Sequence, residues 1–338
     1  MKKIQTMKYF QIMILLIGLL VVLSGCTTQT NPTANVIKNT EVTKVRVGNL
    51  PVVQGLPLYV AMDKGYFAEQ GIDVEIVRFD APNQIIDALM NNQIDMGSTS
   101  LALGISAIAD QKNPGKIKVY AVSGGTIDVP AENLIVQLDS NITKIEDLRG
   151  KKLGILAGTI QWRTITRHIL ATHGLDMDKD VAIVELTSGL QISALASGQV
   201  DAVIALEPIP TIAVSQGIAK IGVQAPAEKA IAEPFYPGAG VISVKFASEH
   251  PETAKKMINI LDKAMQEINQ NPEEYGKYLS KYTPINESIT AKVPIPIFKT
   301  ASELDDKDKA SIQTFLDLFV KYGVVSDKLN FDNLVYKP

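Results

Sequence analysis

The sequence predicts an α/β protein of two similar lobes, each a mixed or parallel sheet flanked by helices, joined by two crossing strands. Three observations carry this. At 338 residues the chain is longer than one core of ordinary size. The order strand–loop–helix–strand–loop–helix–strand occurs twice, with Gly71 answered by Gly174 and Asp95 by Asp201 at nearly the same spacing. The C-terminal part reads as helices without a sheet of their own, so they must pack on a lobe already built.

The first copy opens with a strand at Val45, Arg46 and Val47, followed by the loop Leu50 to Leu56. Pro57 starts the helix PLYVAMDKGYFAEQ, because the first N–H groups of a helix have no internal partner. Gly71 stops it, and Val74, Ile76 and Val77 begin a second strand. This is a βαβ unit, whose loops lie at the carboxyl ends of the strands, where open α/β sheets bind ligands. The loop DAPN, the helix QIIDALMN, the turn Asn92 to Asp95 and the apolar run MGSTSLALGI complete the copy.

The second copy runs from the strand KKLGILAG through Thr159, the helix IQWRTITRHILATH, Gly174, the strand VAIVEL, the turn TSG, the helix LQISALAS and Asp201 to AVIALE. Between the copies lie VYAVSGGTID and ENLIVQLD, and a short helix opened at capping-box spacing by Thr143 and Glu146. After the second copy, GAGVISVKF reads as a strand leading to a helix cap at Ser248. In the tail, Met257, Ile260, Leu261, Ala264 and Ile268 form one apolar helix face. PIPIF is too proline-rich for a helix, and Leu304 to Tyr322 is the last long one. The simplest path returns the tail to the first lobe and crosses near Val129–Leu138 and Phe235–Val244. That gives residues 45–129 with 240–338 as lobe one and 130–239 as lobe two, with a hinge and a cleft between them.

Composition is that of a globular protein, 46% hydrophobic and 20% charged. Net charge is −3, and removing residues 1–25 takes away Lys2, Lys3 and Lys8, which argues against a nucleic-acid partner. The one cysteine, Cys26, makes no intrachain disulfide and no redox pair. His168 and His173 are not spaced as a helical ligand pair and have no carboxylate cluster beside them, so no metal site and no cofactor are expected.

Residues 1–25 read as an export leader: lysines, then an uncharged apolar core from Ile12 to Leu23 too short for a comfortable membrane span. Leu23-Ser24-Gly25-Cys26 resembles the lipobox of bacterial lipoproteins, which implies lipidation of Cys26. A plain signal peptide or an uncleaved anchor are the other readings, and all three place the protein outside the cytoplasm. Residues 26–44 read as a solvated tether.

PLYVAMDKGYFAEQGIDVEIVRF resembles the nitrate/sulfonate/taurine and thiamine-precursor solute-binding proteins of ABC importers. Ala88-Leu89 with Gln93-Ile94-Asp95 is similar to a turn of that family, with Asn92 where glycine is usual. ITKIEDLRGKKLGILAGT resembles its opening of the second lobe, and Glu207-Pro208 its glutamate–proline segment, here after Leu206. The resemblance runs from Val45 to about Tyr322. It implies the two-lobed type II periplasmic-binding-protein fold, a lipid-anchored monomer, a small organic solute of the sulfonate, taurine or nitrate type, and a permease with its ATPase as partners. A thiamine-precursor pyrimidine or another heterocycle is the alternative solute, and a role in sensing the alternative use.

The cleft should be lined by loops at strand ends: Leu50, Gln54 and Gly55; Ser98 and Thr99; Gly125 and Thr126; Gly158, Thr159, Gln161 and Trp162; and Glu207. Gly158-Thr159 offers helix N–H groups to an anion, or Thr159 is only an N-cap. Ser98, Thr99, Gly125 and Thr126 supply hydroxyls and free N–H groups. Trp162 either stacks on a flat ligand or packs in the core with Ile165 and Ile169. Arg163 either pairs with an anion or is an exposed helix arginine. A carboxylate at Glu207 suits an ammonium group or the N–H groups of a pyrimidine; otherwise Glu207 points to solvent. No catalytic residue is required. A related fold serves a pyrimidine synthase with a cysteine-rich motif, which this chain lacks, so no enzyme is expected.

Overall fold

The structure is a computed structural model and describes residues 42–337. The leader, Cys26 and most of the tether lie outside the described residues.

In chain order the strands are β1 (Thr43–Asn49), β2 (Ile72–Arg78), β3 (Met96–Ala102), β4 (Ile117–Gly125), β5 (Glu132–Gln137), β6 (Lys152–Leu156), β7 (Ala182–Leu186), β8 (Ala202–Leu206), β9 (Ala219–Gln224), β10 (Phe235–Ser243) and β11 (Ile297–Thr300). They form two mixed sheets, β2-β1-β3-β10-β4-β11 and β7-β6-β8-β5-β9. In each, the first three strands are parallel and the fourth runs antiparallel to both neighbours. That fourth strand, β10 or β5, is the one the chain reaches on arriving from the other sheet. Each lobe is thus closed by a strand delivered across the hinge. Because β5 lies wholly in the second sheet and β10 wholly in the first, the crossings fall at 126–131 and 225–234, ahead of the segments the sequence suggested.

The principal helices are α1 (Leu56–Asp63), α2 (Pro82–Met90), α3 (Leu103–Lys112), α4 (Ile160–Thr172), α5 (Ser188–Ala196), α6 (Ile209–Ser215), α7 (Pro226–Ala230), α8 (Pro251–Gln270) and α9 (Asp306–Lys321). The repeat seen in the sequence has a physical counterpart. Gly71 and Gly174 both sit at φ 72°. Asp95 Oδ2 accepts the Arg46 N–H (2.8 Å) and Asp201 Oδ2 the Lys152 N–H (2.7 Å), each tying the entry of β3 or β8 to the neighbouring strand. Asn92 takes the left-handed φ of 56° where the second copy has Gly198 at 72°, a conformation asparagine tolerates.

Several local readings change. The helix read from Pro57 breaks at Gly65, whose φ is 75°, and resumes as a single turn, Tyr66–Glu69. The apolar run after Asp95 is a strand followed by α3, not one element. Ser243 caps the helix Val244–Glu249 by accepting the Phe246 N–H, and Ser248 lies inside it, because β10 ends earlier than its apolar pattern. The proline-rich PIPIF leads into β11, an edge strand of the first sheet, where missing N–H groups are tolerated.

Apolar packing joins the parts. Met257, Leu261, Ala264 and Ile268 of α8 bury against α1 and the first sheet with Leu58, Val60 and Val45. Phe315 and Phe319 of α9 share one apolar cluster with Ile165 and Ile169 of α4, so α9 bridges the lobes on that side. His168 on α4 meets the Tyr322 hydroxyl at 2.9 Å across the same seam.

Candidate functional site

The carboxyl ends of the parallel strands of both sheets converge on one cavity. Leu50, Val52 and Gln54 reach it from the turn after β1, Ser100 and Ala102 from the end of β3, Leu156 from β6, Gln161 and Trp162 from the start of α4, Leu206 from β8, and Pro237 and Gly238 from β10. Its volume is about 30 Å³, room for roughly one water, so the lobes are closed. No Asp, Glu, His, Lys, Arg or Cys lines it. A wider mouth of about 530 Å³ adjoins it through Leu50 and Val52, between Arg78, Asp80 and Tyr282 on one lobe and Thr187, Ser188 and Ile209 on the other.

The turn after β1 is held by a buried polar network. Asn49 Nδ2 donates to the Leu50 carbonyl (2.7 Å) and the Tyr59 hydroxyl (2.8 Å). Ser98 Oγ donates to Asn49 Oδ1 (2.7 Å), and the Leu50 N–H to Ser100 Oγ (3.0 Å). The Thr99 hydroxyl donates to the Gln54 carbonyl. Gly55 has no room for a side chain: a Cβ there would lie 2.5 Å from the Tyr59 hydroxyl and 2.6 Å from Asn49 Oδ1. Ser98, Thr99 and Gly55 therefore shape the turn rather than face the cavity. Gln54 is the residue they present. It is 4% exposed, and neither Nε2 nor Oε1 of its amide has a hydrogen-bond partner among the described residues.

Gln161 lines the same cavity and is bonded at both ends of its amide. Its Oε1 accepts the Gly104 N–H (2.7 Å) and its Nε2 donates to the Pro237 carbonyl (3.0 Å), both on the other lobe. Thr159 caps α4, accepting the Trp162 N–H (3.2 Å). The Gly158 N–H faces the Glu185 carboxylate at 3.4 Å, and the same carboxylate pairs with Arg163 at 3.0 Å. That helix start is thus already answered by an internal anion. Trp162 is 3% exposed, packs in the core with Ile165 and Ile169, and also lines the cavity.

Gly125 ends β4 and Thr126 opens the first crossing, and neither lines the cavity. Thr126 closes a turn with Val129, by N–H to carbonyl at 3.0 Å and Oγ1 from N–H at 3.1 Å. Next to it, Glu132 and Glu228 clasp the two crossings reciprocally: Glu132 Oε1 accepts the Ala227 N–H (3.2 Å) and Glu228 Oε1 the Ala131 N–H (3.1 Å). Burial and then the Glu228 charge push Glu132 well above the usual carboxylate range, and burial raises Glu228. Their other oxygens have no hydrogen-bond partner among the described residues.

Glu207 is buried rather than solvent-facing, and lines a lateral pocket of about 330 Å³ with Asn133, Thr211, Gln224 and Lys292. Burial pushes its carboxyl up to about 7, against the Thr211 hydroxyl, which donates to it at 2.7 Å. Its backbone carbonyl accepts the Val53 N–H of the other lobe (3.4 Å), which makes Glu207 a wall behind Gln54.

The sequence reading passed over Arg78, Asp80, Thr187 and Ser188 at the mouth. The rule that found the other loops reaches them too: Arg78 ends β2, and Thr187 follows β7 and opens α5. Tyr282, stacked on Tyr59 at 4.5 Å, comes from the helical tail, where no strand-end rule applies.

Among the described residues no group of three His, Cys, Asp or Glu side chains is arranged to hold a metal, and no helix is long and apolar enough to cross a membrane. The fold is that of known solute-binding proteins. The alkanesulfonate-binding protein SsuA of Xanthomonas axonopodis pv. citri, bound to MOPS, superposes with a TM-score of 0.71 at 18% identity, covering 88% of this chain and 99% of that one. In sequence, the 4-amino-5-hydroxymethyl-2-methylpyrimidine phosphate synthase THI13 of Saccharomyces cerevisiae is 23% identical over 258 residues, 72% of each chain. A protein of Brucella abortus named as a binding protein is 25% identical over 299 residues, 85% of this chain and 88% of its own. The family described as NMT1/THI5 like matches residues 53–275, from the Gln54 turn through both sheets into the helical tail. With more than half of its length so matched, the chain belongs to the NMT1/THI5 like family.

Proposed function

We propose that this is an extracytoplasmic solute-binding lipoprotein, anchored through Cys26, that closes its two lobes on a small organic solute and delivers it to an ABC permease. The observation that carries the reading is the central cavity. Strand ends of both lobes line it, and direct bonds such as Gln161 to Gly104 and Pro237 close it. A solute held between these walls, where the adjoining mouth of about 530 Å³ supplies the room that the cavity of about 30 Å³ lacks, touches both lobes and so shifts the population toward a closed form.

The yeast relative is named as a synthase, which makes catalysis the competing reading. The cavity lining favours binding. It holds no acid, base or thiol, and its one hydroxyl, on Ser100, already accepts the Leu50 N–H and meets Ser98 Oγ at 2.7 Å. The same lining bears on the solute. Sulfonates, taurine and nitrate carry an anionic group, whereas a pyrimidine or similar heterocycle is neutral; the cavity lining without a cation suits the neutral class, while Arg78 at the mouth, beside Asp80, is the group an anion would use. Thermal-shift screening against sulfonates, taurine, nitrate, pyrimidines and riboflavin tests this. A solute at saturating concentration raises the unfolding midpoint by mass action, and a flat response to every class contradicts the reading.

A further inference from the structure

We propose that Glu132 and Glu228 form a proton-operated latch in the hinge: while the pair holds a proton it ties the two crossings together, and when both carboxyls ionise the tie is released and the lobes are free to part.

The geometry is reciprocal. Glu132 opens β5, directly after the first crossing, and Glu228 lies in α7, within the second. Glu228 Oε1 accepts the Ala131 N–H at 3.1 Å, and Glu132 Oε1 accepts the Ala227 N–H at 3.2 Å. Both carboxyls are buried, at 0% and 2% exposed, and their Oε2 atoms have no hydrogen-bond partner among the described residues. No lysine or arginine among the described residues pairs with either. Gly125, at the end of β4, leaves the room for this clasp, since a Cβ there would lie 2.5 Å from the Ala131 nitrogen and 2.6 Å from Glu228 Oε1. Ala225, where the second crossing begins, sits at a left-handed φ of 52°, a conformation unfavourable for a residue with a Cβ. The clasped crossing is thus held away from its relaxed path.

Accepting two N–H groups does not by itself call for carboxyls, because glutamine at either position would accept the same bonds. What a pair of glutamates adds is titration. Two ionised carboxylates side by side in a dry site without a cation repel, and one proton removes the repulsion. Burial and then the Glu228 charge raise Glu132, and burial raises Glu228, in keeping with this. The charged groups around the pair do not neutralise it. Glu233, farther along the second crossing, accepts the Ile127 N–H at 3.1 Å and adds negative charge. Lys229 is turned to the Gln224 carbonyl at 2.8 Å, and Asp128 is exposed. On α4, Arg163 and Arg167 are paired with Glu185 and Asp178, and burial holds His168 below the usual imidazole range. On the α9 side Asp308 is paired with Lys299. Glu207, whose N–H donates to the Ala131 carbonyl at 3.2 Å, titrates in the same interval and is separated by its own variant.

The test is hydrogen exchange of the full chain from about pH 5 to 9, resolved to single amides and divided by the intrinsic exchange rate at each pH. Ala131 and Ala227 report the latch. Gly104, whose N–H donates to Gln161 across the cleft, reports the approach of the lobes. The proteins are wild type, Glu132→Gln, Glu228→Gln and Glu207→Gln. The expected result is that wild-type protection at all three amides falls about 10-fold or more across the range, as for a group whose ionisation opposes the clasp by at least one pKa unit. Glu228→Gln keeps the acceptor and supplies an N–H in place of the proton, so its protection stays level, and Glu132→Gln does the same from the other side. Glu207→Gln retains the fall. Thermal midpoints of the glutamine variants matching wild type at pH 5 show that the fold is kept. The latch is overturned if wild-type protection at Ala131 and Ala227 does not change with pH, if both hinge variants lose protection as wild type does, or if only Glu207→Gln abolishes the fall. Loss at Ala131 and Ala227 with Gly104 unchanged would overturn the release of the lobes. The readout needs no solute, so the latch and the solute-binding reading fail separately.

Discussion

Gln54 and Gln161 occupy comparable places in the two lobes, each just beyond the first parallel strand of its sheet, where the chain turns into a helix. Both line the same cavity and both are buried. Gln161 is held at both ends by the opposite lobe, whereas Gln54 is held at neither. The two lobes share a topology, yet only one of the two amides is bonded across the cleft. Residue type at a strand end does not separate these roles; what faces the side chain from the other lobe does.

The largest expected effect comes from removing the closing amide. Gln161→Leu leaves the Gly104 N–H and the Pro237 carbonyl buried without partners, and should cost about 2–5 kcal/mol in urea unfolding. It should also leave the apo protein more open in small-angle scattering. If Gln161→Leu is as stable as wild type, the clasp is not what the distances indicate.

The next effect is a pH dependence behind the same wall. Burial raises Glu207 from the ordinary carboxylate value of 4.5 to about 7, and Glu132 and Glu228 are raised as well. The folded chain thus holds protons that the unfolded chain releases, so stability falls as pH rises from about 4.5 through 7. For Glu207 alone the loss is up to about 3 kcal/mol. Glu207→Gln should flatten that part of the curve in denaturant titrations run across this window, leaving the slope due to the hinge pair. A stability that rises over the window would contradict the burial argument.

Gly104→Ala tests the approach of the lobes from the other side. A Cβ there would lie 2.2 Å from the Phe319 ring and 3.0 Å from Gln161 Oε1. Overpacking of that kind should cost about 1–3 kcal/mol, read from the thermal midpoint. Gln54→Leu has the smallest effect on the empty protein, within about 1 kcal/mol and toward greater stability, because it removes two unpaired atoms and orphans none. Opposite signs for Gln54→Leu and Gln161→Leu are the sharpest statement of the difference between the lobes.

Much of the frame was legible in the sequence because it is written in short-range marks. Gly71 and Gly174 stop helices, and Asp95 and Asp201 recur because each binds the backbone at the start of the strand next door. The strand-end rule led to the cavity from both lobes. It did not distinguish residues that build a loop from the one that loop displays. Ser98 and Thr99 proved to be supports, since their hydroxyls are taken by Asn49 and the Gln54 carbonyl. Gly125 and Thr126 went to the hinge, because β4 ends there and the crossing begins. Nothing local in the sequence tells Gln54 from Gln161: the partners of Gln161, Gly104 and Pro237, lie far along the chain in both directions. Tyr282 reached the mouth for a similar reason, through a tail that folds back on the first lobe.

Trp162 is the only tryptophan in the chain and it lines the cavity, so its fluorescence reports on that space. The most direct measurement is a titration of Trp162 emission with whichever solute raises the unfolding midpoint, run alongside calorimetry. The expected result is a saturable change in emission with the same midpoint as the calorimetric isotherm. Heat of binding with no change in Trp162 emission would place the solute elsewhere and contradict the central cavity as the site.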